Sequence, residues 1–309
     1  MKKSTRIILV IAICLLCAGL VLTAVGYVCG ASLRQIIHDD LWSWVVHDDD
    51  GIHLFSDRHK DDHHGSGKYD NEFDESNTYS IDADGVNKLS IDWIDGDIQV
   101  VAYDGDSIRL EESCKEEIDE DNSLRYKIKN GELYITCCRE ASYEIGILSN
   151  SLNGKNLNKP LVVKIPKTLA DKLKELQIDA VSSNITADGL TIKEFYASTV
   201  SGNVSLSGSY ADEVEVDTVS GDMDLALLQC PKDFSVDSTS GNITLRLPSG
   251  SSFLLEFETV SGKPEIKGFD ADCLSDDDGF YEYQVGSGRY ELDADTVSGD
   301  ITIIKSGSN

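Results

Sequence analysis

Thr199-Val-Ser-Gly-Asn203, Thr218-Val-Ser-Gly-Asp222, Ser238-Thr-Ser-Gly-Asn242, Thr259-Val-Ser-Gly-Lys263 and Thr296-Val-Ser-Gly-Asp300 are five copies of one motif in the C-terminal half of the chain. Their glycines lie at 202, 221, 241, 262 and 299, so the steps are 19, 20 and 21 residues and then 37, close to two further turns. Periods near twenty residues belong to solenoids, whose units bury apolar surface only against their neighbours. Apolar residues alternate around each glycine: Val214 and Val216 before Gly221, then Met223, Leu225 and Leu227; Phe234 and Val236 before Gly241, then Ile243, Leu245 and Leu247. Alternation by two is the pattern of a strand with one buried face.

Each unit therefore reads as a strand, a tight Ser-Gly-Asn/Asp corner and a second strand. Glycine gives the corner its positive φ without a Cβ clash, and the flanking polar side chains can bond local backbone groups. Two degenerate copies extend the array: Ile178-Asp-Ala-Val-Ser-Ser-Asn-Ile185, with Ser183 in place of glycine, and Ile91-Asp-Trp-Ile-Asp-Gly-Asp-Ile98. The fold expected over residues 79–309 is an all-β parallel solenoid, like a single-stranded β-helix, built from repeats of about 20 residues.

The first 30 residues stand apart. Lys2, Lys3 and Arg6 precede Ile7 to Val28, an uncharged apolar run long enough to span a bilayer as a helix. An uncleaved anchor in residues 1–30 is favoured over a signal peptide, whose apolar region is shorter. Contact with membrane lipid then falls to residues 7–28, the N-terminus stays inside, and the rest is extracytoplasmic. All 55 acidic residues and 24 of the 27 basic ones follow residue 30, a formal charge of −31 for that part. Nucleic acid is excluded as a partner, since phosphate contacts need clustered basic residues; cations or basic partners suit the charge.

Residues 31–78 form a connecting segment. Leu33, Ile36, Ile37 and Leu41 have helical spacing, and Trp42 and Trp44 follow, as in a stretch lying at a membrane surface. All six histidines fall between His38 and His64, among aspartates. Imidazole and carboxylate together bind divalent metals, and clustered histidines sense pH. His47, Asp48, Asp50, His63 and His64 are the metal candidates, but their spacing closes no site and a polar spacer is the favoured reading.

Further strands are expected at Lys88 to Val101, Ser107 to Glu112, Arg125 to Ile128, Glu132 to Cys137 and Leu161 to Ile165, with either a short helical turn or the start of the next rung at Leu169 to Leu176. Five cysteines lie outside the anchor: Cys114, Cys137, Cys138, Cys230 and Cys273. An odd number makes no complete disulfide framework. As neighbours on a strand, Cys137 and Cys138 should point to opposite faces, so that at most one packs inward. A bridge from Cys114 to one of them and buried free thiols are both open.

Beyond His64 the chain has no histidine, which removes a Ser-His-Asp triad, a Cys-His pair and a histidine metal centre from the repeat domain. No catalytic residue, cofactor or phosphate loop is expected. Ser201, Ser220, Ser240, Ser261 and Ser298 read as a structural ladder, and Asp217, Asp222, Asp224, Asp295 and Asp300 could line one edge as a calcium ladder. A two-carboxylate glycosidase acting on wall glycans is the enzyme alternative.

The N-terminal span, Leu89-Ser-Ile-Asp-Trp-Ile-Asp-Gly-Asp-Ile-Gln-Val100, Leu161-Val-Val-Lys-Ile-Pro166 and the recurring Thr-Val-Ser-Gly-Asp/Asn corner together resemble a bacterial family, the putative adhesins with β-strand repeats. The resemblance covers residues 80–305. It implies an envelope protein with no accepted catalytic residues. Ser183, Lys263-Pro264 and the acidic insertion Asp276 to Asp278 depart from the pattern. The function expected is a non-catalytic, membrane-anchored extracytoplasmic binding or scaffold module, an adhesin or envelope-stress accessory protein. Its partner would be an envelope protein or surface glycan, because some 35 linker residues reach on the order of 100 Å at most. A metal- or pH-responsive sensor using the histidine-rich stalk is the other alternative.

Overall fold

A computed structural model describes residues 69–307, apart from 75, 116, 121, 139–157, 171 and 278, together with two short strands upstream. The chain divides into a unit Met1–Gly67 and a unit Lys68–Asn309. In the first, β1 (His47–Asp48) pairs antiparallel with β2 (Gly51–Ile52). The expected membrane span at 7–28 lies outside the described residues, among which no helix is long and apolar enough to cross a membrane.

The second unit is almost entirely strand: β3 (Thr78–Asp82), β4 (Lys88–Asp95), β5 (Ile98–Tyr103), β6 (Ser107–Glu112), β7 (Arg125–Lys129), β8 (Glu132–Thr136), β9 (Leu161–Pro166), one helical turn α1 (Lys167–Ala170), β10 (Glu175–Ser182), β11 (Ile185–Ser201), β12 (Val204–Ser220), β13 (Met223–Leu227), β14 (Asp233–Ser240), β15 (Ile243–Leu247), β16 (Phe253–Ser261), β17 (Pro264–Lys267), β18 (Ala271–Asp277), β19 (Phe280–Val285), β20 (Tyr290–Ser298) and β21 (Ile301–Lys305). Each motif joins a strand entering the corner to one leaving it. The entering strands stack as a front layer and the leaving strands as a back layer. The long β11 and β12 leave one corner and enter the next, linking both layers into a single 19-stranded sheet.

Parallel pairing in exact register lines like residues up in columns. Leu176, Phe195, Val214, Phe234, Leu292 and Leu255 form one inward column of the front layer, and Ile185, Val204, Met223, Ile243 and Ile301 face it from the back layer. All are buried, making one apolar core between the layers.

The rungs do not stack in chain order. Along the front layer the order is β7, β8, β4, β10, β11, β12, β14, β20, β16, β19, β18. The last motif, Thr296–Asp300, therefore sits between the third and the fourth, and Thr259–Lys263 forms the outermost rung. The 37-residue step consequently holds no two further turns but an antiparallel pair, β18 and β19, that extends the front layer past β16. Of the acidic insertion, Asp276 and Asp277 end β18.

The corners explain both the glycines and the departures. A Cβ on Gly221 would lie 1.9 Å from the carbonyl oxygen of Gly202; on Gly241, 1.9 Å from that of Gly221; on Gly299, 1.9 Å from that of Gly241; on Gly262, 1.8 Å from that of Gly299. Each corner carbonyl thus occupies the place where the next corner would carry a side chain. Alongside, the Asx side chains form a ladder. The N–H of Asp222 donates to Asn203 Oδ1 at 2.8 Å, that of Asn242 to Asp222 Oδ1 at 2.8 Å, that of Asp300 to Asn242 Oδ1 at 3.1 Å, and that of Lys263 to Asp300 Oδ1 at 2.8 Å. Lys263 closes the ladder, since among the described residues no rung lies beyond it to need an acceptor. At Ser183, which has no positive φ, the bond to the previous rung runs instead from Asn184 Nδ2 to Asp97 Oδ1, 2.8 Å.

The N-terminal end is held by a buried polar hub. Lys159, 1 % exposed, sets its Nζ 2.7 Å from Glu112 Oε2 and donates to the carbonyls of Asn122 and Cys137, each at 2.5 Å. Trp93 Nε1 donates to the Lys159 carbonyl at 2.8 Å, and the ammonium lies 5.3 Å from the indole centre. Burial raises the Glu112 pKa, against the pull of Lys159. Removing one partner of such a pair costs about 3–5 kcal/mol, because the other charge is left buried.

Cys137 and Cys138 correct the expectation of opposite faces: both are buried, with sulfurs 3.5 Å apart. They follow the end of β8 at Thr136, where strand alternation no longer applies. All five cysteines are free thiols, and the Cys138 thiol is pushed up by its contact with Cys137 and by burial.

Gly241→Ala should destabilise the domain by about 3 kcal/mol, the upper range for forced overpacking, whereas Gly250→Ala, with nothing within 4 Å of its Cβ position, should change stability little. Denaturant unfolding of both variants checks this; equal losses would contradict the carbonyl stacking.

Candidate functional site

Two surfaces follow from the columns. The first is the corner edge. Asn203, Ser220, Gly221, Asp222, Ser240, Gly241, Asn242, Ser298 and Gly299 line an open groove of about 390 Å³. The serines of the motif act there through their main chain: Gly202 donates to the Ser220 carbonyl, Gly221 to that of Ser240, Gly241 to that of Ser298 and Gly299 to that of Ser261, each at 3.1 Å. Thr199, Thr218, Ser238, Thr296 and Thr259 stand in one inward column, and among the described residues no hydrogen-bond partner reaches their buried hydroxyls. A hydroxyl without a neighbouring base is a poor nucleophile.

The second is the solvent side of the front layer. Glu213, Glu215 and Asp217 of β12 lie beside Asp233 and Asp237 of β14. These lie beside Glu291, Asp293 and Asp295 of β20, which in turn flank Glu256 and Glu258 of β16. No lysine or arginine takes an outward position on these four stretches. Successive strands are about 4.8 Å apart, so acid faces acid from rung to rung, an arrangement that favours a cationic partner. Carboxylate oxygens of Glu256, Glu291 and Asp293 come within 4.8 Å of one another.

The structure separates the aspartates expected to form one calcium edge. Asp217 and Asp295 belong to the acidic face; Asp222 and Asp300 serve the corner ladder; Asp224 on β13 pairs with Arg246. They make no single row. Of the stalk candidates, His47 and Asp48 lie in β1, while Asp50, His63 and His64 fall outside the described residues.

The acidic face was missed in the sequence because its members come from strands that are not neighbours in the chain. The only available signal was the recurrence of acids two residues apart, as in Glu213-Val-Glu-Val-Asp217 and Glu291-Leu-Asp-Ala-Asp295. Further along the same outward column, Asp92 lies beside Asp179, and burial, with the Asp179 charge, pushes its pKa up to about 7. An acid raised above its unfolded value of about 3.9 favours the folded state when protonated, so its contribution is lost as pH climbs from about 4 to 7. Asp92→Asn should therefore raise the melting temperature at pH 8 and leave it near wild type at pH 4; thermal melts across that range would contradict this if the variant melted lower at pH 8.

Comparison with known proteins places this architecture. No curated protein matches the chain. A crystal structure of a "putative cell adhesion protein" from Clostridium sporogenes is similar at 16% identity and a TM-score of 0.48, covering 74% of this chain and 98% of that one. A "putative adhesin" from Bacteroides fragilis is similar at 12% identity and a TM-score of 0.37, covering 73% and 95%. The Toastrack DUF4097 family profile matches twice, over residues 86–232 and 172–304, the overlap expected of a repeat that can be entered at more than one rung. The chain belongs to the Toastrack DUF4097 family.

Proposed function

We propose that this protein is a non-catalytic binding module, anchored in the bacterial cell membrane by residues 7–28 with its solenoid outside, and that the acidic front face docks a basic segment of an envelope protein. The observation that carries the reading is that face: four adjacent stretches of strand present acids in register and no lysine or arginine. A surface of one charge sign steers an oppositely charged partner, and acids aligned in columns favour one register of it. The uncharged run from Ile7 to Val28 behind Lys2, Lys3 and Arg6 supports the anchored orientation.

Ser235 sits on this face between Glu215 and Asp293. With Ser235→Cys in a full chain whose Cys114, Cys230 and Cys273 are replaced by serine, a membrane-impermeant thiol-reactive photocrosslinker applied to intact cells should label the protein and, on illumination, capture one envelope polypeptide. The adduct should disappear when Glu215, Asp237 and Asp293 are all changed to lysine. Labelling only after lysis would overturn the extracytoplasmic placement; an adduct with glycan alone, or one indifferent to charge reversal, would overturn the basic-protein partner.

A further inference from the structure

Cys137 and Cys138 are neighbours in the chain and also in space. Their sulfurs are in contact at 3.5 Å, and both residues are buried, at 2 % and 0 % exposure. Adjacent side chains of an extended strand point to opposite faces, so the contact depends on the bend that follows β8. Three hydrogen bonds hold that bend. The Cys137 N–H donates to the Asp92 carbonyl at 3.2 Å, the Cys137 carbonyl accepts from Lys159 Nζ at 2.5 Å, and the Cys138 carbonyl accepts from Thr136 Oγ1 at 3.0 Å. The peptide between the two cysteines is therefore part of the buried hub, and the fold keeps the sulfurs together.

We propose that Cys137 and Cys138 form a reversible oxidation site, which closes to a vicinal disulfide by exchange with a small-molecule disulfide. One thiolate attacks the small disulfide, forming a mixed disulfide and releasing one small thiolate. The neighbouring thiolate then attacks the cysteine sulfur of the mixed disulfide and expels the second. The pair loses two electrons and two protons, and the small disulfide becomes two thiols. Closure brings the sulfurs from contact to about 2.0 Å. Neighbouring Cα atoms lie about 3.8 Å apart, below the usual disulfide range of roughly 4.4–6.8 Å, so the ring is strained and readily reduced again.

Burial disfavours the thiolate, so exchange takes place while the bend is open to solvent, during folding or on local opening of β7 and β8 at the end of the front layer. The preformed contact favours closure in the folded chain over the unfolded one. By linkage, closure favours folding by the same factor. The redox state of the pair thereby sets the stability of the hub, whose Lys159 is bonded to the peptide inside the ring. This site is independent of the acidic front face.

The test uses the full chain in detergent micelles with its other six cysteines replaced by serine. It is held in mixtures of reduced and oxidised glutathione until its composition is constant, quenched with acid, and read by mass spectrometry of the peptide that spans both residues. The product should lack two hydrogens and carry no glutathione, and its ratio to the dithiol should be about tenfold higher in the folded chain than in guanidinium chloride at the same glutathione mixture. The oxidised chain should then resist unfolding by about 1.4 kcal/mol more, the same tenfold factor. Cys137→Ser and Cys138→Ser, each with one thiol of the pair left, should lose no hydrogens and take up glutathione only as a mixed disulfide. Two thiols that persist in the folded chain whatever the glutathione mixture, a ratio no higher than in denaturant, or a glutathione adduct in place of the ring would overturn the proposal.

Discussion

At each corner of the stack a carbonyl oxygen stands where the next corner would have a Cβ. Backbones this close leave one register open to a rung, since a slip by one residue would turn every side chain to the other face. Core columns and acidic columns then arise together. Columns that bury Leu, Phe and Val on one side set glutamates and aspartates one above another on the other, so the stacking that gives the core also concentrates charge. The corner ladder tempers the same effect at the edge, where Asp222 and Asp300 are separated by the neutral Asn242 and Asp300 is followed by Lys263.

Both ends of the solenoid are closed by rungs taken out of chain order. At one end β8 and β9 lie outside β4 and β5, although they come later. At the other, β20 and β21 return to lie inside β16 and β17. β20 and β21 therefore have neighbours on both sides. The outermost rung is held at both of its chain connections. Its hairpin, β18 and β19, extends the front layer only.

The period, the corner glycines and the alternation were legible in the sequence because each rests on local spacing. The stacking order was not, since every Thr-Val-Ser-Gly corner presents the same backbone to its neighbours. The chain did carry one local mark of the end: Lys263 is the single corner of the motif series that lacks an Asx acceptor, and Pro264 beside it lacks a donor. Both read as irregularities until the ladder shows that a terminal rung needs neither. The hub of Lys159, Glu112 and Trp93 left no periodic trace, because its members come from three separate segments. Cys137 and Cys138 were misplaced because the strand ends one residue before them.

The stacking order is open to a direct chemical measurement. Asp237 lies in register with Asp295 on the adjacent strand, and Asp295 with Glu258 on the one beyond. A disulfide needs Cα atoms within about 7 Å, which one strand spacing allows and two spacings, roughly 10 Å, do not. In a chain with Cys114, Cys230 and Cys273 replaced by serine, Asp237→Cys with Asp295→Cys should oxidise readily to an intramolecular disulfide, while Asp237→Cys with Glu258→Cys should not. The reverse outcome would mean that the rungs follow chain order and would contradict the threaded stack.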